Sequence, residues 1–481
     1  MNLSEQQCYQ ALRARDSRFD GRFFVAVKTT GIYCRPICPA RTPAPERCRF
    51  YAHAALAEQA GFRPCLRCRP ELAPGEAPVD AASRTARTAF SRIKRGALNE
   101  ETGVEELAES LGVSSRQLRR SVQQEFGVTP IALAQTQRLL LAKQLLTETR
   151  LPVTEIAFAS GFSSLRRFNA LFLERYGLNP SALRKQPASP SQSEPLTLSL
   201  AYRPPLAWEE LLTFLSSHAL HGVELVSDRS YLRTLWIEDK KGWTRVSLGK
   251  PGKLKVELSH SLVSVLPQVL GKLRHLFDLD ACPATIDSQL GKDPRLQESI
   301  ASTPGVRVPG CVDGFELAWR TVLGQQVSVA AATRIAGRTT EALGEPVETP
   351  FDGLNRLSPT PAQFLTQDSD TLGPLGWLRS RTAAVQALAR AIVDGELDLG
   401  PDGDPDRLIG KLVELRGIGP WTAGYIAMRA LSWSDGWPKG DAILKKRLDG
   451  SPEPDPGWRP WSAYAAMRLW YQPQEKEVIT S

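Results

Sequence analysis

The sequence predicts a multidomain chain, mainly α with α+β parts, on three observations. At 481 residues it is too long for one hydrophobic core and suits about three domains. A helical phrase recurs at an offset of 49 residues, VEELAESLGVSS at 104–115 and VTEIAFASGFSS at 153–164. Strand-like runs (LTLSLAY, TLWIE, TRVSLG, LKVELS) crowd between residues 196 and 259, and a mainly helical pattern takes over from about Asp313. Two stretches, 70–83 (Pro/Ala-rich) and 186–195 (Pro, Ser and Gln), read as linkers and leave blocks 1–75, 83–185 and 196–481.

Charge is divided unevenly among these blocks. Residues 1–190 carry 28 Lys/Arg against 17 Asp/Glu, or +11, whereas residues 191–481 carry 32 against 35, or −3. A basic front half suits phosphate binding, and equally a solvated face. The N-terminal residues lack the charged-then-apolar run of a secretory signal and no segment is apolar enough to span a bilayer, so a cytoplasmic protein with no membrane partner is expected.

The first block contains Cys34 and Cys38 in CRPIC and Cys65 and Cys68 in CLRC, 26 residues apart. Each short pair can place two thiolates on one ion, and two pairs complete a tetrahedral Zn2+ site. Disulfides are the alternative, disfavoured by a cytosolic setting. Cys8, Cys48, Cys282 and Cys311 stand alone and read as buried structural residues. Arg35, Arg41, Arg63, Arg67 and Arg69 crowd the two pairs, and guanidinium groups match phosphate oxygens. The strings TTGIYCRPICPAR (29–41) and GFRPCLRCRP (61–70) closely resemble the methyl-phosphotriester-accepting domain of the Ada family of DNA repair regulators. The resemblance covers residues 1–75. It implies a small α/β domain with Zn2+ on Cys34, Cys38, Cys65 and Cys68, Cys34 as methyl acceptor, and Thr30, Arg41, Arg63 and Arg67 near the DNA backbone. A purely structural zinc is the alternative.

In the second block the repeated apolar positions follow helical periodicity, and Gly112 and Gly161 end the first helix of each unit. IALAQTQRLLLAKQLLTET (131–149) reads as one long amphipathic helix joining the two units. The arrangement resembles the AraC-type double helix-turn-helix domain over residues 83–185. That likeness implies promoter binding, transcription activation and RNA polymerase as a partner. Arg116, Gln117, Arg119 and Arg120 on one candidate recognition helix, and Arg166, Arg167 and Asn169 on the other, suit base edges or, singly, phosphates.

In the third block LRGIGPWTAGYIAMRAL (415–431) places Gly417-Ile418-Gly419 in a tight turn between helices, a turn that presents backbone N–H groups to a phosphate without needing lysines. WPKGDAILKKRL follows, with Asp441 at a position that also suits a helix N-cap. With PGCVDGFELAWRTVLGQQVSVAAA (309–332) and WRPWSAYAAMRLWY (458–471), these strings resemble the AlkA-type alkylbase glycosylases of the helix-hairpin-helix superfamily. The resemblance covers residues 196–481 and implies an antiparallel-sheet subdomain over 196–308 and a helical glycosylase domain over 309–481. It further implies double-stranded DNA as partner, Asp441 as the essential acid group, and Trp421, Tyr425 and Trp470 as the base pocket. Cation–π attraction would then favour cationic bases such as 3-methyladenine and 7-methylguanine, although each ring alone also fits a core position. Trp421 stands where lyase relatives carry lysine, so a monofunctional hydrolase is expected. Gln326 occupies the place of the wedge that fills the gap left by a flipped base. The chain thus reads as an alkylation-response regulator with repair activity; a transcription factor with structural zinc and a silent glycosylase-like half is the alternative.

Overall fold

Parallel pairing of two short strands brings the cysteine pairs together. In the computed structural model, which describes residues 4–16, 19–73, 84–99, 103–184 and 194–472, the first sheet has strands β1 (Phe24–Val27), β2 (Ile32–Cys34), β3 (Cys48–Tyr51) and β4 (Arg63–Pro64) in the order β3-β1-β2-β4. The β1–β2 and β1–β3 pairs are antiparallel, and β2 runs parallel to β4 with Tyr33 opposite Pro64. The N–H of Cys65 donates to Tyr33 O at 2.9 Å, so the second cysteine pair starts beside Cys34. The linker expected at 186–195 lies almost wholly outside the described residues, as does that at 70–83 beyond Ala73.

The chain forms two units: Met1–Pro204 with Leu235–Arg274 and Leu279–Ala281, and Pro205–Thr234 with His275–Asp278 and Cys282–Ser481. In the first unit the doubled phrase becomes two helix-turn-helix pairs, Val104–Ser110 with Ser115–Phe126 and Val153–Ala159 with Leu165–Tyr176. Gly112 (φ +66°) and Gly161 (φ +86°) make the turns in the left-handed region that favours glycine. Ser114 and Ser164 cap the two second helices by accepting from the N–H of Gln117 and Arg167.

The joining helix, Pro130–Glu148, differs from expectation. It is not amphipathic in its setting but enclosed, with Leu133, Thr136, Leu139, Ala142, Lys143, Gln144 and Leu146 all buried. Its neighbours lie on several sides: Leu140 enters the core of the first sheet with Phe24, Ala26 and Tyr33. Gln144 and Glu148 bond the backbone of Ser199 on strand β5 (Leu196–Ala201). An enclosed helix keeps its polar residues only if each finds a partner. Thr136 donates to the buried Glu58 carboxyl at 2.9 Å, which also accepts from Tyr33 Oη at 2.9 Å.

The alternating runs at 196–259 are strands. A hairpin of β6 (Glu224–Ser227) and β7 (Ser230–Ile237) pairs Val226 with Tyr231, and β7 carries the chain from the second unit into the first. In the first unit β9 (Lys253–Leu258) lies between β5 and β8 (Lys240–Leu248), both antiparallel to it, with Val256 opposite Leu198 and Val246. The rest of the second unit is helical around Trp319, Phe364, Trp377, Leu388 and Ile426. Among the described residues no helix is long and apolar enough to cross a membrane.

Candidate functional sites

The four thiols Cys34, Cys38, Cys65 and Cys68 have their sulfurs within 4.8 Å of one another, a closed all-sulfur donor set that fits a tetrahedral Zn2+. None of them is in a disulfide. The four are not equivalent. Cys68 Sγ accepts from the N–H of Arg35 at 3.3 Å and Cys65 Sγ from that of Arg67 at 3.4 Å, and the Ala40 amide serves Cys38. No backbone N–H donates to Cys34 Sγ among the described residues, and Cys34 is the more exposed of the four. A thiolate without amide donors keeps its lone pairs free to react.

Two of the five surrounding arginines turn inward. Arg35 is buried, paired with Asp20 and donating to Cys68 O at 3.1 Å. Arg69 pairs with Glu71 and Glu148, each at 3.1 Å. Arg41, Arg67 and Thr30 are exposed and Arg63 is half-buried. Sequence reasoning missed Lys143. Its Nζ, deep in the first unit, donates to Cys65 O at 3.0 Å and pairs with Glu71 at 2.5 Å. The only signal was a lone cation inside LLLAKQLL.

On the helix-turn-helix pairs Arg116, Gln117, Arg119, Arg120, Arg166, Arg167 and Asn169 are all exposed. Arg119 pairs with the exposed Glu105 at 3.0 Å.

In the second unit the Gly417–Gly419 turn links helices Pro405–Glu414 and Pro420–Ala430, with Ile418 buried and both glycines exposed. Gly417 has φ +93°, and an added Cβ would stand 3.0 Å from that of Ala384. Gly417→Ala is therefore expected to cost about 1–2 kcal/mol and to weaken duplex binding. A thermal unfolding midpoint and a DNA titration check this; unchanged values in both would clear the turn of strain. Gln325, another residue missed in sequence, braces the turn from outside: its Nε2 donates to Gly417 O and Thr422 Oγ1, each at 3.0 Å. The adjacent Gln326 is exposed with φ +56°.

Asp441 caps helix Ala442–Arg447 and also meets the aromatic set. Its Oδ1 accepts from the N–H groups of Ile443 (3.1 Å) and Leu444 (3.0 Å) and from Trp470 Nε1 (3.2 Å). Its Oδ2 accepts from Trp421 Nε1 at 3.0 Å. Trp421 stacks on Tyr425 (5.4 Å between centroids, 11° between planes), and Trp470 lies 6.1 Å from Tyr425. The cap and the site are thus one arrangement: the helix end and two indoles aim a single carboxyl group.

Trp421 and Tyr425 also wall a cavity of about 150 Å³ shared with Phe214, His218, Cys311 and Arg429. Glu224, Arg233, Glu316 and Arg320 also line it and interlock through ion pairs of 2.9 to 3.5 Å. Burial alone would raise the Glu224 carboxyl, but Arg320 and Arg233 bring it down to about 2.

Family models match as the metal binding domain of Ada over residues 7–71, a helix-turn-helix domain over 107–186 and the AlkA N-terminal domain over 197–313. The chain is 38% identical over 495 residues to the "Probable bifunctional transcriptional activator/DNA repair enzyme AlkA" of Mycobacterium tuberculosis, covering 98% of this chain and 99% of that one. It is 34% identical over 287 residues to "DNA-3-methyladenine glycosylase 2" of Escherichia coli, covering 58% of this chain and 99% of the relative. It is 35% identical over 185 residues to the E. coli "Bifunctional transcriptional activator/DNA repair enzyme Ada", covering 38% and 49% respectively.

Proposed function

The chain belongs to the AlkA family of bifunctional transcriptional activator/DNA repair enzymes, and on that premise we propose how its parts divide the work. Residues 1–75 form the methyl acceptor, 83–185 the promoter-binding domain, and 196–481 a monofunctional DNA glycosylase built on an α+β part and a helix-hairpin-helix part. RNA polymerase is the partner of the promoter-bound form.

A bound Zn2+ would keep the four sulfurs deprotonated at neutral pH. The Cys34 sulfur attacks the methyl carbon of a neutral phosphotriester. An S–C bond forms, the C–O bond breaks, and its electron pair stays on the phosphate as a diester anion. The thioether has no leaving path, so each molecule reacts once. Arg41, Arg63, Arg67 and Thr30 hold the flanking phosphates. Loss of one thiolate charge reduces repulsion from DNA, which favours tighter promoter binding. The two recognition helices then enter major grooves about 34 Å apart.

In the glycosylase the N–H groups at Gly417 and Gly419 hold a phosphate, and the target base leaves the stack for the cavity beside Trp421. Gln326 fills the vacated space. Asp441 stabilises the cationic sugar as the C1′–N bond breaks, and water completes an abasic site. Trp421 stands where lyase relatives carry the Schiff-base lysine, which supports a monofunctional hydrolase.

The observation that carries the acceptor role is the asymmetry of the thiol cluster, in which Cys34 is the one without an amide donor among the described residues. Mass spectrometry after incubation with methylphosphotriester DNA tests it. One methyl per chain, on the peptide containing Cys34, is expected; methyl on another cysteine, or none, would overturn the assignment.

A further inference from the structure

The base cavity holds a charge that the scheme above leaves unused. Arg429, 8% exposed, turns its nitrogens to uncharged acceptors: Nε to Pro309 O (2.8 Å), Nη2 to Gly310 O (2.9 Å) and Nη1 to Tyr425 Oη (3.0 Å). Among the described residues no carboxylate is within ion-pair distance of it, whereas Glu224, Arg233, Glu316 and Arg320, which also line the cavity, cancel one another's charge in pairs. The guanidinium carbon also lies 5.1 Å from the Phe214 ring centroid and 5.5 Å from that of Tyr425. The aromatic face expected to attract a cationic base therefore already faces a cation.

His218, stacked on Phe214, registers this field. Burial, together with Arg429 and Arg320, pushes its pKa down to about 4, so it stays uncharged. Hydrogen-bond direction supplies the second observation. An arginine N–H can only donate, so Tyr425 Oη accepts from Arg429 and keeps its own proton for another acceptor. No other partner of that hydroxyl occurs among the described residues, and Tyr425 lines the cavity.

We propose that Arg429 is a positioning residue that fixes the Tyr425 hydroxyl as a donor to the departing base and biases the pocket toward uncharged damaged bases. This rests on the glycosylase reading. When an uncharged base is hydrolysed, the C1′–N bond breaks with its pair on the base, water oxygen bonds to C1′, and one water proton ends on the base. The negative charge developing on the base is what Tyr425 and Arg429 stabilise. A cationic base leaves as a neutral molecule, with the water proton released to solvent. It gains nothing from the donor and is repelled by the guanidinium.

The test uses the full-length protein in single-turnover release from duplexes carrying hypoxanthine (uncharged) or 7-methylguanine (cationic). Arg429→Met and Tyr425→Phe are each expected to lower the hypoxanthine to 7-methylguanine rate ratio about tenfold or more, the factor equal to one lost hydrogen bond of about 1.4 kcal/mol. Arg429→Lys, which keeps a charge and a donor, should recover most of it. Disturbed folding lowers both rates together and cannot shift the ratio. An unchanged ratio in both variants overturns the proposal, as does wild-type release of 7-methylguanine without hypoxanthine. Release of neither base by the wild type would count against the glycosylase reading instead.

Discussion

Asp441→Asn is expected to slow release of alkylated purines by roughly 10³-fold, the scale on which an electrostatic stabiliser of developing charge is lost. The substitution is conservative for the fold, because asparagine also caps helices. Its side-chain oxygen can take the place of Oδ1 and accept from Ile443, Leu444 and Trp470. Its amide nitrogen then faces Trp421 Nε1 where Oδ2 stood, donor against donor. The variant therefore loses the carboxylate charge and the brace that aims Trp421. Abasic sites counted on alkylated DNA give the rate, and thermal unfolding shows whether the cap survives. A loss below about tenfold with an intact cap would remove Asp441 from the chemistry.

Removing the metal is expected to unfold the N-terminal module. Its strands are only two to four residues long and its cores are small, one built on Cys8, Leu12, Phe23 and Val25 and the other on Phe24, Ala26 and Tyr33. Small domains of this kind depend on a structural ion for apparent stabilisations of about 10–16 kcal/mol. Chelation, or Cys65→Ala, should open the module at residues 1–75 to protease while abasic-site formation on alkylated DNA persists. Adding Zn2+ back should restore protection to the chelated wild type and not to the variant. An unchanged cleavage pattern after chelation would show that the sheet stands without the ion.

Much of this was legible because the informative residues are close in sequence. Both cysteine pairs and the 49-residue repeat specify a local structure by spacing, and LRGIGPWTAGYIAMRAL does so through its resemblance to helix-hairpin-helix glycosylases. What escaped depends on distant partners. Strand β6 is four residues, ELVS, too short to show alternation. The cavity wall collects Phe214, His218, Cys311 and Arg429 from segments more than 200 residues apart at the extremes. The joining helix looked two-faced because helical pattern reports apolar positions, not how many sides will be covered. Arg35 looked like a phosphate ligand because its partner, Asp20, lies outside the motif, 15 residues before Arg35 itself.

The Lys143–Glu71 pair also bears on inheritance. Glu71 belongs to the four-cysteine module and Lys143 to the helix that joins the two helix-turn-helix pairs, and both side chains are sealed from water. Recombination that grafted either module onto a foreign neighbour would strand a buried charge, a loss on the order of 3–5 kcal/mol. Leu140 and Thr136 would lose their partners in the same event. The two modules are bound to travel through evolution as one cassette, whereas the Pro-, Ser- and Gln-rich sequence at 186–195 marks the natural place for exchange.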